Sequence, residues 1–157
     1  MNEGEREFVE DLQKYCEGNP EYFAQGEREL YLLRNQSRGS GIGFFEAGNF
    51  YPDFILWILN QDKQYVSFID PKGILNLEHG INNPKIKFHQ TVKELEKNLH
   101  STAPEIVLNS FIVSNTFLNA ISWRDSLSAK DFEKNHVFFQ KEDKNQYIQK
   151  ILKLIEI

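Results

Sequence analysis

The period of the apolar positions changes along this chain, and each change marks an element. Between residues 5 and 16, Phe8, Val9, Leu12, Tyr15 and Cys16 fall on one stripe at helical spacing, which predicts a first helix that stops at Gly18-Asn19-Pro20. Glu21 to Gly26 follows as a short turn or helix. Leu30 to Asn35 then reads as a strand, and Gln36 to Gly41 as a flexible turn. The next strand lies within Phe44 to Leu59, either continuous or broken at Gly48-Asn49, and Tyr65 to Ile69 forms its hairpin partner. A polar stretch with Asn76, His79, Gly80, Asn82, Asn83 and Pro84 leads into a helix over about residues 85–100, and Ile106 to Val113 reads as a buried strand. A strand-helix-strand unit of this kind is expected to be parallel and right-handed. A short strand falls within Asp131 to Gln140, and a closing helix over Tyr147 to Ile157 turns Ile148, Ile151, Leu152 and Ile155 inward. Together these elements predict an α/β fold, a mixed sheet of four to five strands flanked by helices. No internal repeat or boundary interrupts residues 1–157, which are expected to form a single domain.

A chain of 157 residues that is 13% aromatic can bury a core of large side chains. No apolar run approaches the length of a membrane span, and the acidic first residues do not resemble a secretory leader. The single cysteine, Cys16, lies on the apolar helix face and is expected to be a small core residue. One thiol makes neither an internal disulfide nor a thiolate zinc site, so a reducing cytoplasm is the natural setting, with no membrane partner. The balance of 18 basic to 23 acidic residues, net −5, has the wrong sign for an autonomous DNA binder. The excess is local: residues 1–33 hold nine acids against three bases, whereas residues 34–100 hold eight bases against seven acids. A nucleic acid would therefore meet the middle segment, where Arg34, Arg38, Lys85, Lys87 and Lys93 can reach phosphates; each of them is otherwise a solvated surface charge.

Candidate chemistry gathers on the predicted hairpin. Phe50-Tyr51-Pro52-Asp53-Phe54-Ile55-Leu56-Trp57-Ile58 is followed by Val66-Ser67-Phe68-Ile69-Asp70-Pro71-Lys72-Gly73. Strand side chains alternate faces, so Asp70 and Lys72 project on one side, and a hairpin brings Asp53 to that side as well. Two carboxylates and an ammonium on strands supply oxygen ligands for a hard cation and positive charge for a phosphoryl group. The plain alternative is a buried hairpin on which Asp70 and Lys72 form an ordinary surface pair. A third acid tests the idea. Glu5 falls in the middle of the apolar stripe of the first helix, whereas Glu3, Glu7, Glu10 and Asp11 lie outside it. It is either a first-turn glutamate favoured by the helix dipole or a carboxylate turned toward a cation.

This constellation resembles the Pro-Asp…(Asp/Glu)-x-Lys nuclease superfamily, whose fold many restriction endonucleases share. Glu5-Arg6-Glu7-Phe8-Val9 is similar to the Glu-Arg-Glu-Leu-Val opening of archaeal Holliday-junction resolvases, in which the first glutamate is the active-site one. A broader likeness covers residues from about 5 to about 123. Glu29-Leu30-Tyr31-Leu32-Leu33-Arg34-Asn35, Gly41-Ile42-Gly43-Phe44-Phe45, the Pro52-Asp53 strand and Phe68-Ile69-Asp70-Pro71-Lys72-Gly73 resemble the C-terminal nuclease domain of type III restriction subunits and related helicase-nucleases. The resemblance implies a restriction-endonuclease-like core and Mg²⁺-dependent hydrolysis of DNA, with Mn²⁺ able to substitute. It implies that Asp53 and Asp70 bind the ion, with the Pro71 carbonyl in the shell and Glu5 holding a coordinated water or a second ion. It also implies a helicase-like ATPase motor in cis or in trans, since this chain contains no Gly-x-x-x-x-Gly-Lys-Ser/Thr loop. A homodimer has a rationale too, because one centre cuts one strand per event. Lys72, among carboxylates, is expected to remain charged.

Other motifs carry less. Gly39-Ser40-Gly41-Ile42-Gly43 imitates a phosphate loop, but strand-like residues follow it, so we read it as a turn. His79, His89, His100 and His136 show no paired metal spacing. Lys85, Lys87 and Gln90 begin the helix after the motif, where the resemblance implies an extra polar residue near the scissile phosphate, and of the three we choose Lys87. Ser114-Asn115-Thr116 is expected to cap a following helix rather than to touch phosphate. The competing functions are a structure-specific or single-strand nuclease and a non-catalytic docking module of the same fold.

Overall fold

Asn2 starts the first helix. Its side chain accepts from the Glu5 backbone while the Glu5 carboxylate accepts from the Asn2 backbone, a reciprocal cap that fixes the entry of α1 (Glu3–Gly18). In this computed structural model, which describes residues 1–36, 41–44 and 47–157, a short α2 (Pro20–Ala24) follows, then strand β1 (Glu29–Arg34) and the hairpin β2 (Phe54–Asn60) and β3 (Lys63–Lys72). Helix α3 (Pro84–Leu99), strand β4 (Ile106–Ser114), α4 (Ala129–Lys134), β5 (Val137–Phe139) and α5 (Tyr147–Ile155) complete the chain. The five strands form one mixed sheet in the order β1-β2-β3-β4-β5, antiparallel through β3 and parallel from β3 to β5. This is the α/β architecture that the changing apolar period predicts.

Two strands occupy only part of the stretch expected to contain them. The strand expected within Phe44 to Leu59 begins at Phe54, past the break at Gly48-Asn49. Gly48 and Asn49 both take positive φ, 67° and 57°, and Phe44 bridges back to Phe50, so the chain turns there instead of extending. In the stretch expected to hold a strand, α4 comes first. Ser128 and Asp131 form a capping box that starts it, and the strand is confined to Val137–Phe139.

The sheet separates two cores. On one face Phe8 and Leu12 of α1 and Ile148, Ile151, Leu152 and Ile155 of α5 pack on Phe54, Leu56, Ile58 and Ile69. On the other, Ile86, Phe88 and Val92 of α3 pack on Phe68 and Ile112. Since Ile69 faces α1 and Phe68 faces α3, alternation places Asp70 and Lys72 on the α3 face. β3 is the central strand, and its run from Ser67 to Pro71 is buried throughout. β1 is an edge strand, and Tyr31 and Leu33 on it remain 50% and 45% exposed beside the half-open Trp57 of β2.

Asp11 corrects another expectation. It is buried, because α5 covers it and the Tyr147 hydroxyl donates to its Oδ2 at 2.8 Å, with Lys144 at 3.8 Å from Oδ1. Tyr147→Phe leaves that carboxylate without its donor and should cost about 1–3 kcal/mol. Thermal unfolding would show a Tm lower by several degrees, most of it regained in the double variant with Asp11→Asn; an unchanged Tm would mean that Asp11 is adequately solvated without the tyrosine.

Candidate active site

Asp53 stands one residue before β2, and the hairpin register, Phe54 against Ile69, sets it opposite Asp70. Its backbone N–H donates to Asp70 Oδ1 at 3.2 Å, and its carbonyl accepts from Asn35 N at 2.8 Å. Asn35 also ties the approach to this end of the sheet. Its amide donates to the carbonyls of Ile42 and Pro52, both at 2.8 Å, and its Oδ1 accepts from Ile42 N at 2.9 Å. Nothing in the composition around Asn35 singled it out; its role depends on its contacts with Ile42 and Pro52.

Burial pushes the Asp53 carboxyl up to about 7, Asp70 and then Glu5 adding to the effect while Arg34 opposes it. Burial raises Asp70 as well, against the pull of Lys72, Asp53 and Lys85. Two carboxylates in this position resist ionising together, and their protons belong to the pair.

Lys72 is subject to opposing influences. Burial lowers its pKa, and although Asp70 and Asp53 pull upward, the ammonium of Lys85 pushes down. Lys85 belongs to the first turn of α3. Asn83 caps that turn by accepting from Lys85 N at 2.8 Å, and Pro84 follows the cap. Lys85 is thus the helix lysine beside the pair, and Lys87 is not: Lys87 Nζ turns away to Asn135 Oδ1 at 3.4 Å. A helical step of two residues points the two side chains in different directions. Lys93 lies further off, 3.2 Å from Glu96, which accepts from Leu108 N near the opposite end of the sheet.

Glu5 is buried at 7% exposure, so it does not face solvent as a frayed-end glutamate would. Its carboxylate accepts from Asn2 N at 3.1 Å and Asn2 Nδ2 at 3.3 Å, and Arg34 Nη2 lies 3.5 Å away. Arg34 is accordingly a partner of Glu5, with its guanidinium still 58% exposed. No direct contact joins Glu5 to Asp53 among the described residues; it acts on that carboxyl through its field. Among the described residues, no group of three or more His, Cys, Asp or Glu side chains is placed to hold a metal ion. Glu5→Gln would remove that field and release Arg34 toward Asp53, so cation affinity measured by calorimetry should fall about tenfold, the effect of roughly one close charge. Glu7→Gln should match the parent. Equal affinities for all three proteins would remove Glu5 from the site.

The end of β4 holds the strand carrying Lys72. Asn115 N donates to the Lys72 carbonyl at 3.2 Å, and Thr116 Oγ1 accepts from Ile74 N at 3.0 Å. Ser114 Oγ donates to the Thr116 carbonyl at 2.8 Å. These hydroxyls fasten the chain leaving β3, and the short turn that follows has no side-chain cap, contrary to the expected capping role. A Cβ on Gly4 would lie 2.7 Å from Asn115 Nδ2, so glycine lets α1 approach this corner, where Gln140 Nε2 also donates to the Gly4 carbonyl at 2.8 Å. Gln140 is buried and was invisible in the sequence pattern. Pro71 is buried between Asp70 and Lys72. His79 is exposed beside Glu78, 3.7 Å away. Arg38, like Gly39 and Ser40 of the expected turn, lies outside the described residues.

Asp53 and Asp70 offer hard carboxylate oxygens, few in number, a donor type that suits oxygen-binding divalent cations, of which Mg²⁺ keeps several of its own waters. In comparisons with family models, curated proteins and solved structures, none matches the chain. Among the described residues, no helix is long and apolar enough to cross a membrane.

Proposed function

We propose that this chain is a Mg²⁺-dependent endonuclease module that hydrolyses DNA phosphodiesters, of the kind used in restriction or DNA-defence enzymes. The observation that carries the reading is the meeting of Asp53 and Asp70 on one face at the end of the hairpin, with Asp53 raised to about 7 and Lys72 two residues along the same strand. Asp53 and Asp70 would hold the ion, which when bound supplies Lewis acidity and lowers the pKa of water. Lys72 and Lys85 present two ammonium groups to the phosphoryl oxygens, where charge grows as the phosphorus is attacked. Asp70 keeps Lys72 beside that centre, and the Asn115 and Thr116 contacts fix the strand that carries it.

The chain's charge gives the reading a testable limit. With net −5, the isolated domain should bind duplex DNA no more tightly than non-specific binders, about 10⁻⁴–10⁻⁶ M at physiological salt, and cut it slowly. A motor in cis or in trans, or a second copy, would raise the effective concentration of DNA at the site. The experiment incubates labelled duplex, branched and single-stranded DNA with the chain and Mg²⁺, and titrates each substrate in parallel. Slow, cation-dependent scission that disappears with EDTA is expected; sub-micromolar duplex binding or fast duplex cleavage would show that no partner is needed.

One observation favours a second reading. Glu5 is engaged by Asn2 and Arg34, which leaves two acids for an ion. A non-catalytic module would bind Mg²⁺ and nucleic acid on the same residues without turnover. Cation binding by calorimetry with no product under any of the three substrates would select it.

A further inference from the structure

The face that carries α5 also holds a groove unrelated to Asp53 and Asp70. Lys150 of α5 reaches back to Glu133 of α4 at 2.9 Å and to Asp143 at 2.6 Å, and a groove of about 430 Å³ opens beside this link. Phe138 and Leu154 form its floor, and its accessible lining is mostly apolar. Its rim is basic: Lys130 and Lys134 project from α4 and Lys153 from α5, all three exposed and, among the described residues, without an ion-pair partner within 4.0 Å. Lys150 is engaged by both of its carboxylates. Asp131 caps α4, its Oδ2 accepting from Ser128 N at 2.8 Å and from Ser128 Oγ at 2.9 Å, and it also feels the charge of Lys134. Three exposed lysines without an ion pair among the described residues thus surround an apolar floor on a chain of net charge −5.

We propose that this groove docks an acidic amphipathic peptide segment of a partner protein. Large apolar side chains of the segment would lie along Leu154 and the lysine stems, above the buried Phe138 ring, and its carboxylates would meet Lys130, Lys134 and Lys153. The arrangement matches helix-in-groove recognition, in which spaced apolar anchors supply contact and flanking charges set register and partner. A single nucleic-acid strand suits it less well. Stacking needs an exposed ring face, and Phe138 is 1% exposed, so a base would find only aliphatic surface. Lysine stems add to that surface while their ammonium groups stay in water.

The test uses the intact chain and fluorescence anisotropy. The probe is a labelled peptide of about 16 residues, with leucine at every third or fourth position and glutamate between. Controls are the same peptide with glutamine for glutamate, and an oligothymidine of similar length. The acidic peptide should bind in the micromolar range and weaken with salt. The triple variant Lys130→Glu, Lys134→Glu, Lys153→Glu should lose at least about tenfold in affinity. These side chains are exposed, so circular dichroism should be unchanged, and a Lys141→Glu control on another surface should bind as the parent does. Absence of binding at about 0.1 mM peptide, or equal binding by the triple variant, overturns the proposal. Tighter binding of oligothymidine that depends on the same lysines assigns the groove to nucleic acid instead.

Discussion

Asp70→Asn and Asp53→Asn should each reduce Mg²⁺-dependent DNA cleavage by at least about 10²–10³-fold, the scale expected when a charge-stabilising group is lost from a water-excluded site. Lys72→Met should do the same by removing the ammonium aimed at the phosphoryl oxygens. The fold should survive all three. In the cation-free protein the carboxylates oppose one another, so neutralising either one relieves repulsion, and the asparagine Oδ1 at position 70 can still accept from Asp53 N. Melting temperatures of the two asparagine variants should therefore equal or exceed that of the parent near neutral pH. Lys72→Met removes the cation that eases Asp70 and should melt slightly lower. Gel assays of a linear labelled substrate, run beside thermal unfolding, separate chemistry from stability. Cleavage that persists in the Asp70 variant would place the chemistry elsewhere.

The second large effect is in the pH dependence. Asp53 is raised from 3.8 to about 7 in the folded chain, so between those values the folded state holds more protons than the unfolded state. Stability from this group is present at low pH and is lost as pH rises through about 7. Water still reaches the Asp53 carboxylate, which reduces the size of the effect to about 1–2 kcal/mol, or several degrees of Tm in a domain of this size. Asp53→Asn should abolish the decline and melt higher than the parent at pH 8. Using the difference between parent and variant cancels the opposite contribution of His89 and His136. Burial lowers both of these imidazoles, His89 to about 4, so they lose stability as pH falls. Mg²⁺ at about ten times its Kd should restore about 1.4 kcal/mol to the parent at pH 8 and far less at pH 5.5, where protons compete for the carboxylates. A parent whose Tm is insensitive to Mg²⁺ at pH 8 would remove the ion from this site.

The elements that the sequence made legible are those with a strong period or a strong stop. α1, the hairpin, α3 and β4 combine a regular apolar pattern with a cap, turn or breaker, and α5 is marked by its apolar stripe alone; local pattern decides such segments. Ahead of β2, Gly48 and Asn49 take left-handed backbone and Phe44 bridges to Phe50, a local conformation that the apolar pattern does not specify. α4 is short, and its aspartate capping box sits in a stretch whose aromatic residues read as strand. At the site, the approach of Asp53 to Asp70 was legible because it follows from register alone. The choice of Lys85 over Lys87 depends on the angle at which α3 meets the sheet, and the downward pull on the Lys72 pKa depends on how much protein covers it. Asn35, Asn115 and Gln140 act through contacts distant in sequence, where spacing carries no signal. Asp11 looked peripheral to the α1 stripe, and only the position of α5 explains its burial.

The two margins of the sheet are unlike. β5 is three residues long and leaves little backbone to recruit, whereas β1 offers six residues whose outer amides and carbonyls face no strand. A short margin is protected, and a long apolar one invites another strand or a covering surface. Growth of the sheet, whether by a neighbouring part of a larger assembly or by unwanted association in concentrated solution, is therefore directed to the side that carries Tyr31, Leu33 and Trp57. A strand added there would stand three positions from β3, at the margin nearest to Asp53. The architecture thus couples the place where the molecule can be extended to the place where its buried charge is concentrated.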